Sequence, residues 1–202
     1  MQLEHIVQKL ICIVGPSGVG KTSLVRALGQ TGKFNTAYEQ HSERPFQKLF
    51  KENKRYALAN QIDYLLLCAE RERTLRASSQ IGLIDGGLDH DFHGFTRLFL
   101  RRGLLTQPEF DLCSRLYRVL RESLPVPELI VRLCTDDMTV AGRLSRRDRI
   151  NVASAEDTNI FNSLLDEWLQ SVPSDSVLNL DVTNEPLTYE HSKRIILERL
   201  NI

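Results

Sequence analysis

The chain has 202 residues, 42% of them hydrophobic, and its 26 basic and 26 acidic side chains give a formal net charge of zero. This length can bury a full core without disulfides or metal, so we expect a single domain over residues 1–202. The charge balance argues against a protein that mainly binds nucleic acid or an anionic membrane.

The cysteine spacing and the apolar runs bear on the compartment. The four cysteines form no C-x-x-C pair, which indicates reduced, mostly buried thiols rather than a zinc site. No apolar run reaches the roughly 18 residues of a membrane span, and the N-terminus lacks a basic region followed by a long apolar stretch. We therefore predict a cytoplasmic protein with no membrane or nucleic-acid partner.

The first predicted strand, residues 10–14, runs directly into a glycine-rich loop. The loop fits the pattern G-x-x-x-x-G-K-[ST], and a helix-compatible run over 23–28 follows it, so backbone N–H groups would meet phosphate at a helix N-terminus. A chance glycine-rich turn is the alternative. The expected nucleotide-binding residues are Gly15, Ser17, Gly18, Val19, Gly20, Lys21 and Thr22. Lys21 would reach the β/γ-phosphates, and Thr22 would bind Mg²⁺.

A short second strand is predicted over residues 34–38 and ends at Glu39. Ligands of open α/β sheets bind beyond the carboxyl ends of strands, so Glu39 lies where chemistry is expected, with a solvated loop acid as the alternative. Apolar residues at helical spacing over 45–69, broken at 51–55, predict two helices or one interrupted helix. Gln61 falls on the second, where a solvated side chain is the commoner role.

A third strand over residues 81–85 ends in Asp85. An acid at this place commonly helps to hold Mg²⁺ in phosphate-loop proteins, so we favour a metal role for Asp85 over a turn acid. The arginines before this strand, at the end of the second helix, are expected to form a solvated face; they are Arg71, Arg73 and Arg76.

His90 and His93 flank Asp91 but have no further His or Cys near them in sequence, which favours solvated or helix-capping roles over a metal cluster. An amphipathic helix from Phe92 is predicted to stop at Gly103, and Thr106 to Glu109 has the spacing of a capping box that opens the next helix.

A fourth strand over 129–133 precedes the densest basic segment of the chain, which contains Arg143, Arg146, Arg147 and Arg149. Beside a phosphate loop, such arginines are typical of a catalytic lid, here about residues 141–155; a solvated face and a nucleic-acid patch are the alternatives. A fifth strand over 177–180 and a C-terminal helix follow. The alternation predicts a doubly wound parallel α/β sheet of about five strands flanked by helices.

This order of motifs resembles the deoxynucleoside kinase family, P-loop enzymes that phosphorylate the 5′-hydroxyl of nucleosides, over nearly the whole chain. The matching residues are Tyr38-Glu39, Arg44-Pro45-Phe46, Leu49-Phe50, Tyr56-Ala57, Gln61, Asp85, Asp91, Phe95, Arg143, Arg147 and Arg149. The resemblance implies a P-loop NTPase-type fold, ATP and Mg²⁺ as cofactors, and a nucleoside or related small molecule as acceptor. It also implies a homodimer through the helices around 91–123, with Phe95, Phe99 and Leu116 as contacts.

The resemblance assigns roles to individual residues. Glu39 would be the general base for the nucleoside hydroxyl, and Gln61 would hydrogen-bond the base. Phe50 and Asp91 would line the acceptor site with Gln61. The residues that would stabilise the transferring phosphoryl group are Lys21, Arg143, Arg147 and Arg149.

Three positions depart from the family pattern. Gly86 stands where the family has an arginine near the reacting phosphate, Phe50 where many members have a sugar-reading tyrosine, and Val152 near the lid glutamate. The phosphate side of the site is therefore kept, whereas sugar recognition is altered. Two alternatives stay open: a nucleotide-binding regulatory or assembly protein that has lost catalysis, and a nucleoside monophosphate kinase that uses Arg44, Arg55 or Arg97 for the extra phosphate.

Overall fold

The computed structural model describes residues 9–37, 44–136 and 155–202. Five parallel strands form its sheet in the order β2-β3-β1-β4-β5. The strands are β1 (Leu10–Val14), β2 (Phe34–Ala37), β3 (Ile81–Asp85), β4 (Leu129–Cys134) and β5 (Val177–Asp181). The predicted parallel sheet is therefore confirmed, and β1 at its centre is buried along its whole length, as continuous apolar strands of parallel sheets are.

Helices connect the strands throughout. In chain order they are α1 (Lys21–Gly29), α2 (Pro45–Glu52), α3 (Ala57–Arg76), α4 (Leu88–His90), α5 (Arg97–Arg101), α6 (Gln107–Glu122), α7 (Ala155–Leu169) and α8 (Glu190–Leu200). A 3₁₀ turn, Lys54–Tyr56, separates α2 from α3, so the interrupted reading of residues 45–69 is confirmed. Another 3₁₀ turn, Ser174–Ser176, precedes β5.

The alternation of side chains along β1 gives each face of the sheet its own core. Ile11 and Ile13 pack with α1 and with Ile196 of α8. The even-numbered residues, among them Leu10, face the other side and pack with Phe161 of α7. A third apolar cluster joins α2, α3, α5 and α6.

The predicted amphipathic helix after β3 is not regular. A π-helical turn, Asp91–Thr96, joins α4 to α5, and it lets Gly94 approach α7 so closely that an added Cβ would lie 2.5 Å from the ring of Phe161. Such turns are frequent at functional sites. Gly103, with φ of +65°, ends α5 as predicted.

Two further sequence predictions have different outcomes. The Thr106 backbone N–H and hydroxyl both donate to Glu109 Oε2 at 2.7 Å, which confirms the capping-box pairing at α6. The solvated face is wrong for Arg76, which is 5% exposed and donates to Glu128 Oε1 at 3.0 Å.

The four cysteines are free, and three of them are buried. Among the described helices, none combines the length and the apolar character that crossing a bilayer requires.

Candidate active site

The phosphate loop lies between the end of β1 and the start of α1. Gly15, Gly18 and Gly20 all have positive φ, at +143°, +86° and +116°, a region that L side chains avoid. At Gly15 an added Cβ would lie 2.8 Å from the carbonyl oxygen of Leu133, so only glycine fits the bend. Because Gly20 immediately precedes α1, the loop brings its backbone to a helix N-terminus, where free N–H groups and the helix dipole favour an anion.

Lys21, the first residue of α1, is folded over this loop. Its Nζ donates to the carbonyl oxygens of Gly15 at 2.9 Å and Pro16 at 3.0 Å. Ser17 and Val19 lie in the same turn between the glycines. The motif residues named from the sequence are therefore together at one end of the central strand.

Thr22 and Asp85 meet beside the loop. Thr22 Oγ1 donates to Asp85 Oδ2 at 2.5 Å, and Asp85 is 6% exposed. The pairing follows from topology, because β3 lies next to β1 with Asp85 in register with Ile13. A hydroxyl and a carboxylate are hard oxygen ligands, which suit Mg²⁺ when phosphates and water supply the remaining positions. The described residues contain no group of three or more His, Cys, Asp or Glu that could hold a metal by themselves.

The residues expected on the acceptor side also come together. Gln61 of α3 donates from Nε2 to Asp91 Oδ2 of the π-helical turn, and their residue exposures are 1% and 7%. The solvated interpretation of Gln61 is therefore wrong. Phe50 is buried in the third apolar cluster, with its ring stacked on Phe99 at a centroid distance of 5.1 Å.

A buried ionic cluster supports this side of the site. The side chain of Glu72 is 0% exposed; it accepts from Arg121 Nη1 at 3.0 Å and from the backbone N–H of Leu88 at 2.8 Å. Arg121 Nε also lies 3.3 Å from Asp89 Oδ1, and Asp89 accepts from the hydroxyl of Tyr117 at 2.6 Å. The cluster joins α3, α4 and α6 just before Asp91.

Burial and ion pairing act in opposite directions on each pKa of this cluster, and the pKa values of both Glu72 and Arg121 are raised. Burial raises the pKa of Glu72, and Arg121 offsets only part of that rise. Burial lowers the pKa of Arg121, but Asp89 and Glu72 outweigh it, so its pKa is raised. No local sequence pattern indicates this cluster, because Glu72 and Arg121 are 49 residues apart.

Of the two histidines near Asp91, His90 is buried and His93 is half-buried, so the predicted solvated role is wrong for His90. His90 is 4% exposed, and its Nε2 lies 3.0 Å from the carbonyl oxygen of Gly15. Burial, and then the charge of Lys21, lower the pKa of His90 to about 3. His93 stacks on Trp168 with a centroid distance of 5.2 Å, and burial, followed by the nearby Arg97 and Arg121, lowers its pKa to about 4.

Several predicted site residues lie outside the described residues. They are Glu39, Arg143, Arg146, Arg147, Arg149 and Val152. The roles assigned to them remain predictions from the sequence, as does the arginine-rich lid over about 141–155.

The family of the chain follows from a comparison with known proteins. The sequence profile described as "Deoxynucleoside kinase" matches residues 11–202. The chain belongs to the deoxynucleoside kinase family. Members of this family are transferases that phosphorylate nucleosides with ATP, and the resemblance drawn from the motifs is therefore confirmed.

Relatives in the deoxynucleoside kinase family are distant. The deoxyadenosine/deoxycytidine kinase of Bacillus subtilis (strain 168) is 22% identical over 151 residues, which cover 72% of this chain and 70% of that protein. The deoxyguanosine kinase of the same strain is 27% identical over 141 residues, 69% of this chain and 67% of that protein.

Solved structures of deoxyadenosine kinase from M. mycoides share the fold. The structure with bound dATP superposes with a TM-score of 0.76 at 19% identity and covers 96% of this chain and 100% of that one. The structure with bound dCTP gives a TM-score of 0.77 at 18% identity, with coverage of 95% and 98%. At these identities the likeness shows the fold of the family and leaves the nucleoside open.

Proposed function

We propose that this deoxynucleoside kinase family member uses ATP and Mg²⁺ to transfer the γ-phosphoryl group to the 5′-hydroxyl of a nucleoside or a related small molecule, acting in the cytoplasm without membrane or nucleic-acid partners. The observation that carries the proposal is the Thr22–Asp85 contact beside the phosphate loop, where Lys21 is also placed. These groups are the parts that phosphoryl transfer needs on the donor side.

The donor half of the proposed site works through positioning and charge. The amides of Gly15–Gly20 would hold the phosphates at the N-terminus of α1, and Lys21 Nζ would exchange its loop carbonyls for the β/γ-phosphates. Thr22 and Asp85 would hold Mg²⁺, which when bound neutralises charge on those phosphates. Arg143, Arg147 and Arg149 would add charge stabilisation from the lid.

The acceptor half depends on residues contributed by separate elements. Glu39 follows β2 in the chain by two residues and would take the proton of the 5′-hydroxyl. Gln61, held by Asp91, would hydrogen-bond the nucleoside base, and the apolar ring of Phe50 would line the sugar side without a hydroxyl group of its own. This predicts weaker discrimination at the sugar 3′ position, because the site lacks the tyrosine hydroxyl expected there.

The test is a purified-protein assay with ATP, Mg²⁺ and a panel of deoxynucleosides, ribonucleosides and monophosphates. We expect nucleoside 5′-monophosphate as product, and Glu39→Gln should lower kcat by roughly 10²–10⁴-fold. Glu52→Gln, an exposed acid on α2, is the matched control and should turn over normally. Wild-type turnover by Glu39→Gln would contradict the assigned base.

The same panel separates the other functions. A monophosphate kinase is disfavoured because two of its candidate arginines already form ion pairs, Arg44 with Asp63 and Arg97 with Glu167. Tight ADP binding without transfer to any acceptor would instead identify a catalytically inactive nucleotide-binding protein, the possibility raised by Gly86.

The proposed homodimer needs a changed set of contacts. Phe99 is 2% exposed and packs inside its own chain, so it is not available to a partner as the sequence analysis expected. Leu112 and Val119 of α6 are 43% and 62% exposed, and they join the half-buried Leu116 as the apolar contacts proposed here. Light scattering should give twice the chain mass, whereas a monomer at micromolar concentration would contradict this assembly.

A further inference from the structure

His90 is packed against the first glycine of the phosphate loop. Its Nε2 lies 3.0 Å from the carbonyl oxygen and 3.4 Å from the backbone nitrogen of Gly15, and the residue is 4% exposed. The shorter contact favours an N–H at Nε2 that donates to the carbonyl oxygen. The rings of Phe95 and Phe161 contact the imidazole edge-on, at centroid distances of 5.8 and 5.4 Å. The aromatic contacts fix the ring, so that its Nε2 is held against one backbone group of the loop.

The same carbonyl oxygen also accepts a hydrogen bond from Lys21 Nζ at 2.9 Å. If the ammonium group of Lys21 turns to bind phosphate, it gives up this bond, whereas an N–H at His90 Nε2 can keep donating. Because an unsatisfied buried carbonyl costs free energy, the His90 bond stabilises the loop conformation in which Lys21 contacts phosphate.

The other ring nitrogen of His90 faces Gly86. Gly86 has φ of +85°, and an added Cβ there would lie 3.2 Å from His90 Nδ1, tighter than most real contacts of a Cβ. Position 86 is where the family pattern has an arginine, and the first atom of a side chain there would press on the ring of His90. Glycine at 86 therefore leaves the imidazole undisturbed.

We propose that His90 is a positioning residue of the phosphate loop. Its Nε2 holds the Gly15 carbonyl group, and the glycine at position 86 leaves room for the ring on the Nδ1 side. The inference rests on the nucleotide-binding part of the proposed function and does not depend on which acceptor is phosphorylated. It explains how the loop stays oriented in a chain with glycine at 86. A loop whose peptide groups are fixed in advance binds phosphate without a reorganisation cost.

The test compares ADP affinity, measured by calorimetry, in three variants of the full chain. His90→Phe keeps the ring and loses the donor, so we expect about tenfold weaker binding. His90→Gln places an amide N–H at the same reach and should bind within about twofold of wild type. The matched control is His93→Phe, since His93 lies in the same turn but contacts Tyr117 and Trp168 instead of the loop.

Three results would overturn the inference. The first is wild-type ADP affinity in His90→Phe. The second is ADP affinity in His90→Gln as weak as in His90→Phe. The third is a change in the KM of His90→Phe for the nucleoside without a change in its KM for ATP. ADP binding needs no acceptor, so failure to phosphorylate any nucleoside would remove the proposed catalysis and leave this contrast intact. A wild-type chain that does not bind ADP would overturn both proposals.

A second measurement needs no variant to fold. In protein labelled with ¹⁵N-histidine, the NMR spectrum of His90 should show the neutral tautomer with the proton on Nε2, because the Gly15 carbonyl oxygen lies closer to that nitrogen, at 3.0 Å, than the Gly15 backbone nitrogen does, at 3.4 Å. A proton on Nδ1 alone would contradict the proposal.

Discussion

The donor and acceptor sides of the proposed site are built in different ways. On the donor side, eight consecutive residues, 15–22, form the phosphate loop and the start of α1. The backbone conformation of these residues gives this side most of its shape. On the acceptor side, Gln61 and Asp91 come from elements 30 residues apart and lie next to an ionic cluster centred on Glu72 and Arg121.

This difference separates chemistry from stability. Changing a donor-side side chain removes an interaction with phosphate and leaves most of the backbone in place. Changing the ionic cluster leaves an uncompensated charge in the interior, which is costly for the whole fold. We therefore expect donor-side variants to lose activity at nearly constant stability, and acceptor-side support variants to lose stability first.

The largest effect is expected at Lys21. Lys21→Met removes the ammonium group that would reach the β/γ-phosphates, and kcat/KM should fall by roughly 10³-fold. Lys33→Met, at an exposed position in the turn before β2, is the control and should leave kcat/KM unchanged. Steady-state assays at saturating nucleoside decide the point, and a loss of less than tenfold would remove Lys21 from the donor site.

Glu72→Gln tests the support of the acceptor side. The change leaves Arg121 buried with one of its two carboxylate partners gone, and we expect a loss of about 3 kcal/mol in the free energy of unfolding in urea. Glu122→Gln, an exposed acid on the same helix as Arg121, should cost little. Equal stability of the two variants would show that the cluster does not hold the fold.

Acid should weaken the fold through His90. Its folded pKa is about 3, below the usual 6.5, so the unfolded chain binds the proton first. The stability is present above pH 6.5 and is lost as pH falls toward 3, by about 1.4 kcal/mol between pH 7.5 and 5.5. Over this interval, His90→Gln should lose about 1.4 kcal/mol less of its free energy of unfolding than wild type does. The exposed control His191→Gln should follow wild type. An identical pH dependence in all three proteins would be the contrary result.

Thr106→Ala should have the smallest effect and concern neither side of the site. Loss of the hydroxyl contact with Glu109, while the backbone N–H contact stays, should cost about 1 kcal/mol in thermal unfolding, with kinetic constants unchanged. Thr106→Ser keeps the hydroxyl and should recover most of the loss. A Ser variant as unstable as the Ala variant would argue against capping as the cause.

The same contrast explains what could be predicted from the sequence. The phosphate loop, the strands and the capping box were predicted correctly because each depends on neighbours within a few residues. Arg76 was not, since its partner Glu128 is 52 residues away and only the folded chain brings them together. The role of His90 was missed for the same reason: its contact with Gly15 spans 75 residues, and the sequence near His90 favoured a solvated or helix-capping role.

The acceptor residues show an intermediate case. The family resemblance pointed to Gln61 and Asp91, but their spacing alone favoured solvent exposure for Gln61. Asp91 is the first residue of the π-helical turn, and the apolar pattern of Phe92, Phe95 and Phe99 does not predict that turn. Periodicity therefore predicted the presence of a helix there and missed its local geometry.

The most direct test of the account is to identify the phosphorylated atom of the product. Wild-type protein is incubated with ATP, Mg²⁺ and the best acceptor of the nucleoside panel, and the product is examined by ³¹P NMR. We predict one monophosphate whose phosphorus couples to the two 5′-methylene protons. Phosphate on another hydroxyl, or ADP bound without any phosphorylated nucleoside, would contradict the account.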